Sequence, residues 1–186
     1  MPNRDDALKL LQEYNSTALV THGLAVEGAM RYFAKKYGED EEKWGIVGLL
    51  HDLDYEQFPQ EHCYKTQEIM LNHGYNEDII RAIMSHGWGI CTDIEPKSLM
   101  EKTLYGVDEL TGLITACALV RPSGSVMDLE LKSVKKKFKQ ASFAAGVNRE
   151  VVQKGADMLE IELDTLIQEV ILAMREIADE LGLGMK

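Results

Sequence analysis

The chain has little of what organises secreted, membrane-spanning or nucleic-acid-binding proteins. It has only three cysteines, Cys63, Cys91 and Cys117. They are widely spaced and form no CxxC pattern, so neither a disulfide framework nor a structural thiolate zinc site is indicated. A reducing, cytoplasmic setting follows as an expectation. No apolar run approaches the roughly 18 residues of a membrane span. The opening "MPNRDDALKL" is charged from its fourth residue, unlike a signal peptide, so a soluble chain without a membrane partner is expected. Basic residues are outnumbered, 20 against 31 acidic, for a net charge of -11. That argues against a long nucleic acid as partner, because duplex binding draws its affinity from a basic surface. A small phosphate remains open, since a local metal charge overrides the global field.

Prolines number only four, strand-like alternation is absent, and apolar residues recur at helical spacing almost throughout. The pattern predicts an all-α chain, a single domain over 1–186, with a core over about 17–120 and C-terminal helices over about 128–181. The first helix is expected over Arg4 to Tyr14, with Asn15 or Ser16 capping the second. The second carries Leu19, His22, Val26, Met30, Phe33 and Tyr37 on one stripe, which turns His22 inward, and stops at Gly38. A third follows the N-cap Asp40 and runs into His51 and Asp52 in "GLLHDLDY". Residues 63 to 73 and "EDIIRAIMSHG" after Asn76 read as two arms of a helical hairpin. Because the arms are about equally long, His62 at the start of one and His86 at the end of the other return to one level. His73 lies at the turn, about eleven residues or roughly 16 Å from His62. A long helix opens with the capping box "SLME" and stops before Pro122, with Asp108 on one face beside Leu104, Thr111 and Thr115. Asp128 is expected to cap a helix in "LELKSVKKKFKQ", and a last helix to run from about Asn148 to Leu181.

Six candidate ligands thus converge from separate elements: His22, His51, Asp52, His62, His86 and Asp108. Imidazole with carboxylate suits divalent Fe, Mn, Co, Ni or Zn, with Mg also a candidate. The set is enough for two ions, with Asp52 the natural bridge. Such a pair would lower the pKa of a bridging water and clamp phosphate oxygens, a metal-bound hydroxide acting as nucleophile. Taken singly, each residue has an ordinary explanation. His22 reads as a core histidine, His51 with Asp52 as a helix terminus, His62 as a surface residue and His86 as a cap. An inward Asp108 without a partner is costly. Four of the five histidines nevertheless fall where one inward cluster needs them.

Asp54 and Glu56 are placed with Asp52 as catalytic candidates, either as hydrogen-bond acceptors for the ligands or as proton carriers. Both also read as loop residues. Arg121 and Lys132 are the candidates for contact with a substrate phosphate. The basic run "KSVKKKFK" otherwise reads as a solvated face. Tyr55 and Trp88 are candidates to stack on a base, Trp88 reading equally as core.

The pattern resembles the HD-domain superfamily of metal-dependent phosphohydrolases. Its signature of a His, then His-Asp, then a later Asp is matched by His22, His51 with Asp52, and Asp108 in "LYGVDEL". The two further histidines of dinuclear members are matched by His62 in "PQEHCYKTQEIM" and His86 in "IMSHGWG". The likeness spans roughly Thr17 to Val120, and the C-terminal part looks like the tail of small prokaryotic HDIG-group hydrolases. It implies an all-α HD-domain bundle that hydrolyses a phosphate ester or anhydride, often in a nucleotide. The chain has "HDLDY" where that group has His-Asp-Ile-Gly, and it lacks a Gly-Tyr-Pro motif, both of which point away from a cyclic dinucleotide substrate. The superfamily also contains di-iron oxygenases with a similar ligand set, so oxygen chemistry is a competing reading. A third is a non-catalytic module that binds a nucleotide or partner protein. The acidic C-terminal helix suits that role or a homodimer interface.

Overall fold

The computed structural model describes residues 1–186. It is all α-helical, and its only β feature is an isolated bridge between Trp88 and Thr92. No helix is long and apolar enough to cross a membrane. The chain forms two compact units, Met1–Tyr105 and Gly106–Lys186.

In the first unit α1 (Arg4–Tyr14) opens on a capping box between Asn3 and Asp6. α2 (Thr17–Tyr37) closes at Gly38, which takes the left-handed conformation that a residue lacking Cβ adopts freely. α3 (Glu41–Leu50) is capped by Asp40 and buries every residue from Trp44 to Leu50. A helix apolar on all sides must be enclosed, and α3 packs against α1, α2 and α5. A short 3₁₀ turn, Pro59–Glu61, precedes α4 (Tyr64–Asn72) and α5 (Glu77–Ser85), which pack together as the expected hairpin. His62 lies just ahead of the first arm, which begins at Tyr64. It stands in the turn before it, because Cys63 has φ 73° and breaks the helix there.

The Ser98 to Glu101 capping box forms as read: Ser98 Oγ accepts from the Glu101 N–H, and Glu101 Oε1 accepts from Ser98 N–H at 2.8 Å. It starts α6 (Leu99–Leu119), which continues into the second unit. There α7 (Leu131–Phe138) and α8 (Arg149–Met158) both pack on α9 (Leu163–Glu176). Two expectations fail in this unit. Asp128 does not cap α7. Its carboxylate accepts instead from Arg121 at 3.0 Å and Ser123 at 2.8 Å, and Glu130 takes the cap position. The helix expected from Asn148 to Leu181 is broken after Met158 by a Schellman turn. Ile161 N–H donates to Ala156 O and Glu160 N–H to Asp157 O, both at 3.1 Å, with Glu160 left-handed at φ 56°. The left-handed position usually falls to Gly; a Glu there leaves the apolar stripe unbroken in the sequence.

Candidate metal centre

The site is assembled by close helix crossing. A Cβ on Gly23 would meet Leu49 O at 2.9 Å, and one on Gly48 would meet Val26 O at 2.8 Å. These two positions let the backbones of α2 and α3 touch, and the approach brings His22 Nε2 to 3.2 Å from His51 Nε2. His51 is the C-cap of α3, and its Nδ1–H donates to Gly48 O at 2.7 Å. The device recurs at the end of α5, where the C-cap His86 donates from Nδ1 to Ile83 O at 2.5 Å. Each histidine thus donates to a carbonyl in the last turn of its own helix, and Ile83 O also accepts from the His86 backbone N–H at 3.2 Å. His62, outside any helix, is held through Nδ1 by Asp54 Oδ1 at 2.6 Å. Its Nε2 lies 3.2 Å from His86 Nε2.

Asp52 stands between the two pairs. Its Oδ2 lies 3.5 Å from His22 Nε2 and 3.3 Å from His51 Nε2. Its Oδ1 lies 3.3 Å from His62 Nε2 and 3.2 Å from His86 Nε2. Burial works against ionisation of Asp52, but the field of His51 and hydrogen bonding from His22, His51 and His86 hold its carboxyl well below the ordinary range.

The donor set fits divalent metal. A carbonyl can only accept, so His51 and His86 each carry a proton on Nδ1, and in the neutral rings the Nε2 atoms face Asp52 with lone pairs. Without a cation, either the Nε2 lone pairs of His62 and His86 oppose one another at 3.2 Å or imidazolium crowds the carboxylate of Asp52. Metal–ligand bonds of about 2.1 Å at octahedral to tetrahedral angles separate neighbouring donors by about 3.0–3.4 Å. The observed spacings match. Two groups of metal-capable side chains result: one has His22, His51 and Asp52, the other His62, Cys63 and His86, with ligand atoms inside each group within 4.8 Å of one another.

The remaining candidates are placed as follows. Asp54 is fully buried, and its second oxygen accepts from Thr66 N–H at 2.9 Å. It therefore stands behind His62, and its burial removes the expectation of a proton carrier in contact with substrate. Glu56 is turned to the start of α2, where its Oε2 accepts from Ser16 N–H at 2.9 Å and Ser16 Oγ at 3.0 Å. In that position Glu56 acts as an external cap for the start of α2. Asp108 lies on α6, just past the end of the first unit. Arg121 pairs with Asp128, and Lys132 is exposed on α7. His73 closes α4, with Nδ1 on Ile69 O at 2.8 Å. Tyr55 is half exposed and stands edge-on to His62, ring centroids 5.1 Å apart, while Trp88 packs on Tyr105.

Sequence reading passed over Gly23 and Gly48, which permit the crossing, and Thr66, which fixes Asp54. Cys63 was also missed, although it adjoins His62 in "EHCY". Residues 19–110 match the model of one family, the HD domain. No curated protein and no solved structure matches the chain.

Proposed function

Residues 19–110 make the chain a member of the HD-domain superfamily, and from that premise we propose that it hydrolyses a phosphate ester or anhydride of a small metabolite, a nucleotide by class. An HD domain with clustered His and Asp supports metal-dependent hydrolysis in general. The observation that carries the finer reading is Asp52, whose two oxygens divide between two histidine pairs.

In this reading His22 and His51 with Asp52 would hold one divalent ion, and His62 and His86 with Asp52 would hold a second. Asp108, the later aspartate of the family pattern and inside the matched residues, completes the set. Divalent ions held there polarise phosphoryl oxygens and lower the pKa of bound water. Asp52 would offset part of their charge, its two oxygens each facing one histidine pair. The carbonyls of Gly48 and Ile83 hold the imidazole planes of His51 and His86, and Asp54 does so for His62. Orientation of this kind raises ligand basicity and keeps the rings from turning away. Tyr55 offers a half-exposed ring beside His62, suited to a planar base.

The test is phosphate release from nucleoside phosphates and simple phosphomonoesters, with Fe, Mn, Co, Ni, Zn or Mg added in turn. Metal-dependent release that disappears in Asp52→Ala is expected. Oxygen uptake by the iron-loaded chain without phosphate release would replace hydrolysis by oxygenation. Nucleotide binding without turnover under every metal would leave a binding module.

A further inference from the structure

The two positions flanking Asp52 differ in one respect that the ligand pattern of histidine and aspartate does not contain. Beside His62 and His86 lies the sulfur of Cys63, the three residues bringing ligand atoms within 4.8 Å of one another. No sulfur accompanies His22 and His51 in the other group. Cys63 is fully buried, which alone is ordinary for a cysteine. Its backbone is not ordinary: φ 73° and ψ -49° place it near a γ-turn geometry that non-glycine residues rarely adopt. Such conformations persist where the surroundings impose them, and they concentrate at functional sites. Here it joins the residue that presents His62 to the first turn of α4.

Two further observations concern the sulfur itself. Gly87 directly follows His86, and a Cβ there would collide with the sulfurs of both Cys63 and Cys91. The backbone beside one histidine is thus kept bare where the thiols lie. Cys91 Sγ stands 3.4 Å from Cys63 Sγ, a contact in which either thiol can donate, so Cys91 can donate once Cys63 has lost its proton to a metal. A hydrogen bond to an anionic acceptor is among the stronger kinds, and it parallels the support that Asp54 gives His62.

We propose that Cys63 is a thiolate ligand of the His62–His86 position, making it thiophilic and selective for zinc, cobalt or cadmium over magnesium and manganese, while the His22–His51 position keeps only nitrogen and oxygen donors. The inference rests on the reading that His62, His86 and Asp52 hold a metal. On binding, the metal–sulfur bond replaces the S–H bond, the proton leaves to solvent, and no redox partner is needed. Soft sulfur donors favour these metals, whereas magnesium and manganese favour oxygen.

The experiment is titration of the full reduced chain with Co(II), followed by absorption and elemental analysis. Visible ligand-field bands report cobalt binding as such, and a near-ultraviolet sulfur-to-cobalt charge-transfer band reports the thiolate. Expected are both features in the unaltered chain. The charge-transfer band should be lost in Cys63→Ser with the visible bands kept, and should persist in Cys117→Ala. Cobalt bound without a charge-transfer band, or a band that survives Cys63→Ser, overturns the thiolate and leaves the metal centre standing. No cobalt bound overturns both. Should Cys63→Ser not fold, X-ray absorption of the zinc-loaded unaltered chain decides: a sulfur neighbour at about 2.3 Å supports the proposal, and a shell of nitrogen and oxygen alone overturns it.

Discussion

His22 and His51 come from two helices whose crossing is set by backbone contact at Gly23 and Gly48, whereas His62 comes from a turn and is held by the side chain of Asp54. Both pairs reach the same carboxylate at similar distances, 3.2 to 3.5 Å. The first pair is positioned by packing, which resists any change of volume and transmits strain. The second includes a ligand positioned by one charge-assisted hydrogen bond, which a single isosteric change removes. Equal geometry therefore conceals unequal vulnerability.

Removing what the pairs share should have the largest effect. In Asp52→Ala both positions lose their common oxygen donor. Metal content should fall toward zero and hydrolysis by more than about 100-fold, as read by elemental analysis and phosphate release. Next is Gly48→Ala, which drives a methyl group into the α2 backbone at Val26 and Glu27. Overpacking against backbone destabilises by roughly 1–3 kcal/mol, so thermal unfolding should come earlier and metal should be lost first from the His22–His51 position. Asp54→Asn should do the converse. Stability should change little, while one equivalent of zinc binds about 10- to 100-fold more weakly in calorimetry and the other is weakened far less. Equal weakening of both equivalents would erase the distinction between the pairs.

Glu101 provides the smallest effect and a control outside both pairs. Burial works against its charge, but N–H groups of Ser98 and Lys97 and the Arg81 guanidinium hold its carboxyl below the ordinary range. A depressed folded pKa contributes stability that is present above the unfolded value of about 4.3 and lost as pH falls through the folded one. Glu101→Gln should flatten that acid limb in unfolding curves, with metal content unchanged.

Where local chemistry marks an element, the sequence was legible. Gly38, Asp40 and the Ser98 to Glu101 box delimit helices as their types predict. The equal arms of α4 and α5, nine residues each, bring His62 to His86 as the hairpin argument requires. What escaped reading depends on tertiary context. Glu160 takes a conformation its side chain disfavours, Asp128 is drawn to Arg121, and Glu56 reaches 40 residues back to Ser16. The imidazole partners were partly visible, since a histidine at a helix end has a carbonyl within reach. Asp54 behind His62 could be named as an acceptor, but its burial could not be read, because Thr66 seals it from another helix.

The divided carboxylate of Asp52 also makes the two positions thermodynamically linked. Its oxygens turn as one plane, so an ion held by Oδ2 would order the whole group, and a second ion held by Oδ1 would pay less to order it. Linkage is reciprocal: the factor by which the first ion changes the affinity of the second is the factor by which the second changes that of the first. With ions at both positions, metal content would therefore be a property of the pair, and a change at His62 or His22 would reach the opposite position through Asp52.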